Sequence, residues 1–266
     1  IEQYGGSEQF KVGELEKPVI GPDDVLIEVY AASVNPVDWK LREGYLRQML
    51  SYEMPLVIGW DVAGVIQEVG ENVSDLQVGD AVFSRPEIAR QGTYAEYVAV
   101  DAHLVVKKPE SLSFAEAASL PLVSHTAWQV MFEVMDAKPG DRIFIGAGSG
   151  GVGTVAIQLA KANGLYVITS TSTKNVDWVK SLGADEVIDY KQENPADRVR
   201  DVDFVFDTMG GDKQGELYQM LKPNGMLVSI STPPDEEQAK QHNARSAYVF
   251  MQPTGERLQH IAKAVE

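Results

Sequence analysis

Asp141-Arg-Ile-Phe-Ile-Gly-Ala-Gly-Ser-Gly-Gly-Val-Gly-Thr-Val-Ala-Ile-Gln-Leu-Ala-Lys161 reads as a buried strand, a glycine-rich turn and a helix in unbroken succession. The strand is the apolar run Ile143, Phe144, Ile145, entered from the turn residues Pro139 and Gly140. Val152, Val155, Ala156, Leu159 and Ala160 keep the i, i+3, i+4 spacing of one helical face. Asn163-Gly164 supplies the stop signal. Between strand and helix stand Gly148, Gly150, Gly151 and Gly153. Such glycines let the backbone turn tightly and let a diphosphate approach main-chain N–H groups at a helix N-terminus. The strand before and the helix after are the context that a dinucleotide fingerprint requires. The competing reading is a glycine-rich turn that binds nothing.

The following strand, 165–169, narrows the cofactor. A site for NAD usually carries an acid at that strand's end, about 20 residues past the glycines, to hold the ribose 2′-hydroxyl. Here the place reads Ser170-Thr-Ser-Thr-Lys174, and the first acid is Asp177. Hydroxyls at Ser170 and Thr171 with the charge of Lys174 suit a 2′-phosphate. NADP(H) is therefore expected over NAD(H). The plainer alternative is that Thr173 caps the next helix and Lys174 is solvated.

Composition sets the outer limits. The 266 residues are 44% hydrophobic, enough for a substantial core and two domains. A net charge of −16 makes nucleic acid and anionic membrane poor partners. No apolar stretch reaches the length of a membrane span. Cysteine is absent, which excludes disulfides, thiolate nucleophiles and cysteine-ligated zinc in this chain. A cytoplasmic location is the default expectation. The chain opens on Ile1 rather than Met, which reads as a missing N-terminus.

Working outward, residues 1–110 read as mostly β. Strands are expected at 25–30, 62–69, 80–83 and 94–100, each bounded by turn residues, as in a partly open barrel. Ser113-Phe-Ala-Glu116 is a capping box opening a short helix. A longer helix is expected over 124–135. From 139 onward strands (142–147, 165–169, 185–189, 202–207, 226–230, 247–250) alternate with helical segments (151–162, 174–182, 195–200, 212–221, 234–243), and a last helix starts at Thr254. That alternation is the doubly wound α/β pattern of a parallel sheet.

With these residues in place, the chain resembles the medium-chain dehydrogenase/reductase superfamily, in its zinc-independent quinone oxidoreductase and enone reductase branch. The resemblance spans essentially the whole chain. It rests on Ala31-Ala-Ser-Val-Asn-Pro-Val-Asp38, Gly59-Trp-Asp-Val-Ala-Gly64, Val78-Gly-Asp-Ala-Val-Phe83, Gly92-Thr-Tyr-Ala-Glu-Tyr97, Ala147-Gly-Ser-Gly-Gly-Val-Gly153 and Gly183-Ala-Asp-Glu-Val-Ile-Asp-Tyr190. It implies a GroES-like, mostly-β catalytic domain over 1–115 and a Rossmann NADP-binding domain over 116–266. It also implies that an N-terminal strand and a C-terminal segment returning to the catalytic domain are missing from this chain.

The resemblance places Asn35, Trp60 and Leu122 where zinc-dependent relatives carry metal ligands. None of the three is a plausible ligand for zinc. His103, His125, His242 and His260 show no cluster spacing, so no metal site is expected. Without a metal, the feasible chemistry is hydride delivery from NADPH to an already electrophilic carbon, in a quinone or an α,β-unsaturated carbonyl. The resemblance brings Asn35 to the nicotinamide and Lys40 to the substrate. Trp60 could wall a flat acceptor. The bland readings are an Asn-Pro turn, an exposed helix lysine and an ordinary core tryptophan. Tyr45 and Tyr52 are candidate proton donors or plain loop residues. The resemblance further assigns the main-chain N–H of Val152 to the diphosphate, Thr126 to the nicotinamide side, Tyr190 to the adenosine phosphate, and Phe250 and Met251, ending the sixth strand, to the carboxamide. A catalytically weak NADPH-binding structural or regulatory protein is the alternative. Homodimer formation through the edge at Ala247–Phe250 is the expected assembly, against a covered edge.

Overall fold

The computed structural model describes residues 1–266. Its chain divides into two compact units, Ile1–Leu122 with Pro253–Glu266, and Val123–Gln252.

The first unit is built on an antiparallel sheet of β1 (Asp24–Ala32), β2 (Val62–Val69), β3 (Ala81–Ser84), β4 (Tyr97–Asp101) and β5 (Val105–Lys107), in the order β4-β1-β2-β3-β5. Alternate inward residues Val25, Ile27, Val62, Ile66, Val82, Val98 and Val100 form its core. Helix α1 (Pro36–Arg42) opens with Pro36 at its first position, where a missing N–H costs nothing. Helix α2 (Phe114–Ala118) opens on the expected capping box. The Ser113 hydroxyl accepts from Glu116 N at 3.2 Å, and the Glu116 carboxylate accepts from Ser113 N at 2.8 Å.

The second unit holds a parallel sheet of β6 (Arg142–Ile145), β7 (Tyr166–Thr171), β8 (Glu186–Asp189), β9 (Val202–Asp207), β10 (Leu221–Ser229) and β11 (Arg245–Tyr248), in the order β11-β10-β9-β6-β7-β8. The helices are α3 (Pro121–Trp128), whose first two residues fall in the first unit and which continues as a π-helical stretch over Gln129–Val134, α4 (Gly151–Ala162), α5 (Val176–Ser181), α6 (Pro195–Arg198) and α7 (Glu236–Gln241). Residues 214–220 form a 3₁₀ helix. One face of this sheet packs Phe144, Ile168, Ile188, Val205 and Leu227 with Tyr218 and Met220. Helix α4 buries Ala156, Ile157, Leu159 and Ala160 and stops at Gly164, whose φ of +76° is the left-handed conformation that glycine tolerates best. Strand order reverses between β6 and β9, which leaves a crevice at their carboxyl ends.

The last helix, α8 (Gly255–Val265), belongs with the first unit, whereas a division at 115/116 counts it with the second. Its Leu258 packs with Ala63, Phe83, Val106, Ala117 and Ala118. Other differences from the sequence reading are local. Strand β5 is absent from it, and β7 runs on through Ser170 and Thr171. The strand expected at 247–250 lies at Arg245–Tyr248, so Phe250 and Met251 follow it rather than end it.

Candidate active site

The β6–α4 turn separates its glycines by role. A Cβ on Gly148 would run into the Thr169 hydroxyl, and one on Gly153 into the Ala147 carbonyl and Gly148 Cα. These two glycines allow strand, turn and helix to pack closely. At Gly150 a Cβ would meet only Ala147 O at 3.2 Å, and at Gly151 only Val123 Cγ1 at 3.2 Å. Those two stand beside open space at the first turn of α4. Gly150 caps that helix without a side chain, and Thr154 N donates to Gly150 O at 2.9 Å. The N–H groups of Gly151, Val152 and Gly153 thus lie at the open, positive end of the helix. Ala147 holds the turn in a left-handed conformation with φ of 49°.

Next to the turn, β7 corrects the expectation for its hydroxyls. Thr171 is fully buried and donates to Ser149 Oγ at 2.9 Å, so it braces the turn. Ser170 is 8% exposed, and its carbonyl accepts from Gly148 N at 2.9 Å. The exposed part of the run is Thr173 and Lys174, with Ser172 half-buried. Thr173 does not cap α5; Asn175 stands at that position. Tyr190 directly follows β8, donates its N–H to Thr171 O at 3.1 Å and is half-exposed. The fold thereby brings the glycine turn, the Ser170–Lys174 run and Tyr190 to adjacent strand ends. Thr126 lies buried on α3, and Phe250 and Met251 lie half-buried past β11. Gly150 and Gly151 leave space in front of backbone donors, and Lys174 adds an exposed cation, which fits a phosphorylated dinucleotide.

In the first unit, the three residues proposed from sequence have different surroundings. Trp60 has no exposed surface. It packs with Leu41, Leu56 and Ile58, and its indole N–H donates to Arg90 O at 3.3 Å. That placement corrects the aromatic-wall reading, because a fully buried ring cannot face a bound acceptor. Asn35 is buried, and its amide Nδ2 donates to Asp61 Oδ2 at 2.7 Å and to Ser33 Oγ at 3.2 Å. Both amide hydrogens are therefore engaged, which corrects the expectation of an amide free to donate to substrate. Lys40 is half-buried, with its Nζ 5.9 Å from the Trp39 ring centroid. Tyr45 is exposed. The Tyr52 hydroxyl donates to Ile88 O at 2.5 Å, and burial raises its pKa above the ordinary tyrosine value.

Sequence reasoning passed over Asp61, the centre of this region. It is completely buried. Its Oδ2 accepts from Ser33 Oγ at 2.6 Å and from Asn35 Nδ2, and its Oδ1 accepts from Leu122 N at 2.9 Å. Burial pushes its pKa up to about 6, against the lowering influence of Arg85 and of the Ser33 and Asn35 hydrogen bonds. A second buried acid, Asp38, accepts from Asn35 N at 2.7 Å and from the Tyr94 hydroxyl at 2.8 Å. Burial raises its pKa as well. Arg85 is 4% exposed, with its own pKa lowered by burial, and it donates from Nη1 to Pro86 O. The signal available in the sequence was an acid inside the apolar run 56–63, where an unpaired charge would be costly.

No group of three or more His, Cys, Asp or Glu side chains is arranged to hold a metal ion. No helix is long and apolar enough to cross a membrane.

The comparisons with known proteins agree with this architecture. Residues 21–110 match the alcohol dehydrogenase GroES-like domain, and residues 151–255 match the family described as zinc-binding dehydrogenase. The chain is 35% identical over 239 residues to the chloroplastic quinone-oxidoreductase homolog of Spinacia oleracea, covering 86% of this chain and 73% of that protein. It is 39% identical over 243 residues to the chloroplastic NADPH-dependent alkenal/one oxidoreductase of Arabidopsis thaliana, covering 87% of this chain and 62% of that protein. Among solved structures, the quinone oxidoreductase of Coxiella burnetii superposes with a TM-score of 0.89 at 36% identity, covering 99% of this chain and 85% of that one. The chain belongs to the medium-chain dehydrogenase/reductase superfamily, with relatives among the quinone and alkenal/one oxidoreductases.

Proposed function

We propose that this protein is an NADPH-dependent reductase that delivers hydride to a quinone or an α,β-unsaturated carbonyl without a metal. The observation that carries the reading is the β6–α4 turn, where Gly150 and Gly151 leave room and Gly148 and Gly153 are packing positions. The names of the spinach and Arabidopsis relatives support the class of acceptor. In this reading the N–H groups of Gly151, Val152 and Gly153 hold the diphosphate. Lys174, with the hydroxyls of Ser172 and Thr173, meets the 2′-phosphate, and Tyr190 lies beside it. Thr126, Phe250 and Met251 serve the nicotinamide end. Bound NADPH supplies the hydride. Lys40 meets the negative charge that develops on the acceptor oxygen. Asn35 is oriented by Asp61 rather than free to turn toward the acceptor. A cytosolic setting and a dimer paired across β11 belong to the same proposal, and fractionation and light scattering read them directly.

The test is a panel of quinones and enones, followed by the loss of NADPH absorbance before and after dialysis against a strong chelator. Turnover should survive chelation unchanged. Turnover lost on dialysis and restored by zinc would remove the metal-free mechanism. NADPH binding without turnover on any acceptor would leave a binding protein instead.

Cofactor choice gives a separate expectation. Lys174→Ala should weaken NADPH by about 1–3 kcal/mol and leave NADH nearly unchanged, because only the 2′-phosphate loses a charged partner. Titration of both nucleotides reads this, and equal losses for the two would detach Lys174 from the 2′-phosphate.

A further inference from the structure

At the carboxyl end of β9 a single buried side chain gathers two loops. Asp207 is 2% exposed. Its Oδ1 accepts from Met209 N at 3.0 Å and from Gly210 N at 2.9 Å. Its Oδ2 accepts from Gln214 Nε2 at 2.8 Å and from Ser229 Oγ at 2.9 Å. Gln214 also donates to Thr232 O at 3.0 Å, which ties the loop after β9 to the loop after β10. The next residue, Thr208, donates its hydroxyl to Gly146 O at 2.9 Å, so the same loop is fastened to the start of the glycine turn. Gly210 has a φ of +63°, and a Cβ there would collide with Thr232. Held on three sides, the loop presents Met209 with 68% of its surface exposed. All of this lies where the strand order reverses between β6 and β9, the place at which doubly wound sheets take their ligands.

We infer that Asp207 is a positioning residue for the cofactor site, fixing the Thr208–Gly211 loop as the wall of the β6/β9 crevice beside the glycine turn. This rests on the NADPH reading given above. Asp207 touches no cofactor in this role. It acts through the backbone N–H groups of Met209 and Gly210 and through the adjoining Thr208 hydroxyl. A rigid wall spares the bound dinucleotide the entropy of ordering a loop. In this reading the wall stands on the nicotinamide side of the glycine turn, toward β9, whereas Lys174 and Tyr190 stand beyond β7 and β8. Its loss should therefore be felt by whole NADPH and not by the adenosine half.

The experiment compares the full chain with Asp207→Asn and Thr208→Val. NADPH affinity is read by nucleotide fluorescence, the affinity of adenosine 2′,5′-bisphosphate by calorimetry, and Tm by thermal melting. Asp207→Asn should raise the NADPH Kd by about tenfold or more, while the bisphosphate Kd stays within about twofold. Thr208→Val, which cuts only the tie to the turn, should raise the NADPH Kd by about threefold to tenfold with the bisphosphate again unmoved. It reads the same loop should Asp207→Asn fail to fold. A purely structural role would lower Tm and leave both Kd values where they were. That result, or equal weakening of the two ligands, overturns the inference. A wild-type chain that binds neither ligand overturns the NADPH reading instead.

Discussion

Gly151→Val is expected to abolish NADPH binding while leaving both sheets folded. The position is exposed, and its backbone is not left-handed, so a side chain brings no conformational strain. The added Cβ meets only Val123 Cγ1 at 3.2 Å, a contact that a rotation of that valine relieves. The isopropyl group instead fills the space in front of the N–H groups at the start of α4, where a diphosphate must approach the main chain. A loss of about 3 kcal/mol or more, beyond about a hundredfold in Kd, follows from displacing several charge-assisted hydrogen bonds at once. Gly153→Val is the informative contrast. There the side chain would strike the Ala147 carbonyl and Gly148, and the expected result is loss of the fold itself. Nucleotide fluorescence and circular dichroism on both variants separate the two outcomes. Wild-type NADPH affinity in a folded Gly151→Val protein would remove the diphosphate assignment.

The same contrast shows what kind of information a sequence carries. Helix α4 was legible to the residue, because both its glycine entry and its Asn163-Gly164 exit are local signals. The β6 strand and the capping box at Ser113 were equally local. Hydropathy places strand β11 two residues late, since Ala247–Phe250 is more apolar than Arg245–Tyr248. On an edge with half-exposed side chains, hydropathy is a weak guide to register. The run 170–174 reads as open hydroxyls in sequence, yet β7 carries Ser170 and Thr171 into the interior. There Thr169 donates to Ile145 O at 2.6 Å and Thr171 to Ser149. A threonine spent on an internal bond looks the same in a sequence as one offered to a ligand. The residue that holds the Asn35 amide is out of reach of any local pattern. Asp61 lies 26 positions away, and Leu122 a further 61. Asp207 is hidden for the same reason, since Ser229 stands 22 positions along the chain.

Asp61→Ala is expected to lower the stability of the first unit by about 3 kcal/mol near neutral pH. The substitution removes the shared acceptor of three donors, namely the Ser33 hydroxyl, the Asn35 amide and the Leu122 N–H, at a side chain that is itself completely buried. Asn35→Ala removes only one of those partners and should cost about 1 kcal/mol. The pH dependence then identifies the cause. The folded-state pKa of Asp61 is pushed up to about 6 from its ordinary 3.8, so between those values the native protein keeps a proton that the unfolded chain has released. The contribution of this group to stability is therefore greatest in acid. It falls as pH rises through that window and is level above it. A shift of this size is worth on the order of 3 kcal/mol. The gap between wild type and Asp61→Ala should accordingly be wider near pH 4 than near pH 7, although acid would be expected to weaken a carboxylate whose main role was to pair with Arg85. Urea unfolding across that range measures the gap. A gap that stays constant, or that widens toward neutral pH, would mean that burial does not dominate Asp61 and that the three donors hold an easily ionised carboxylate.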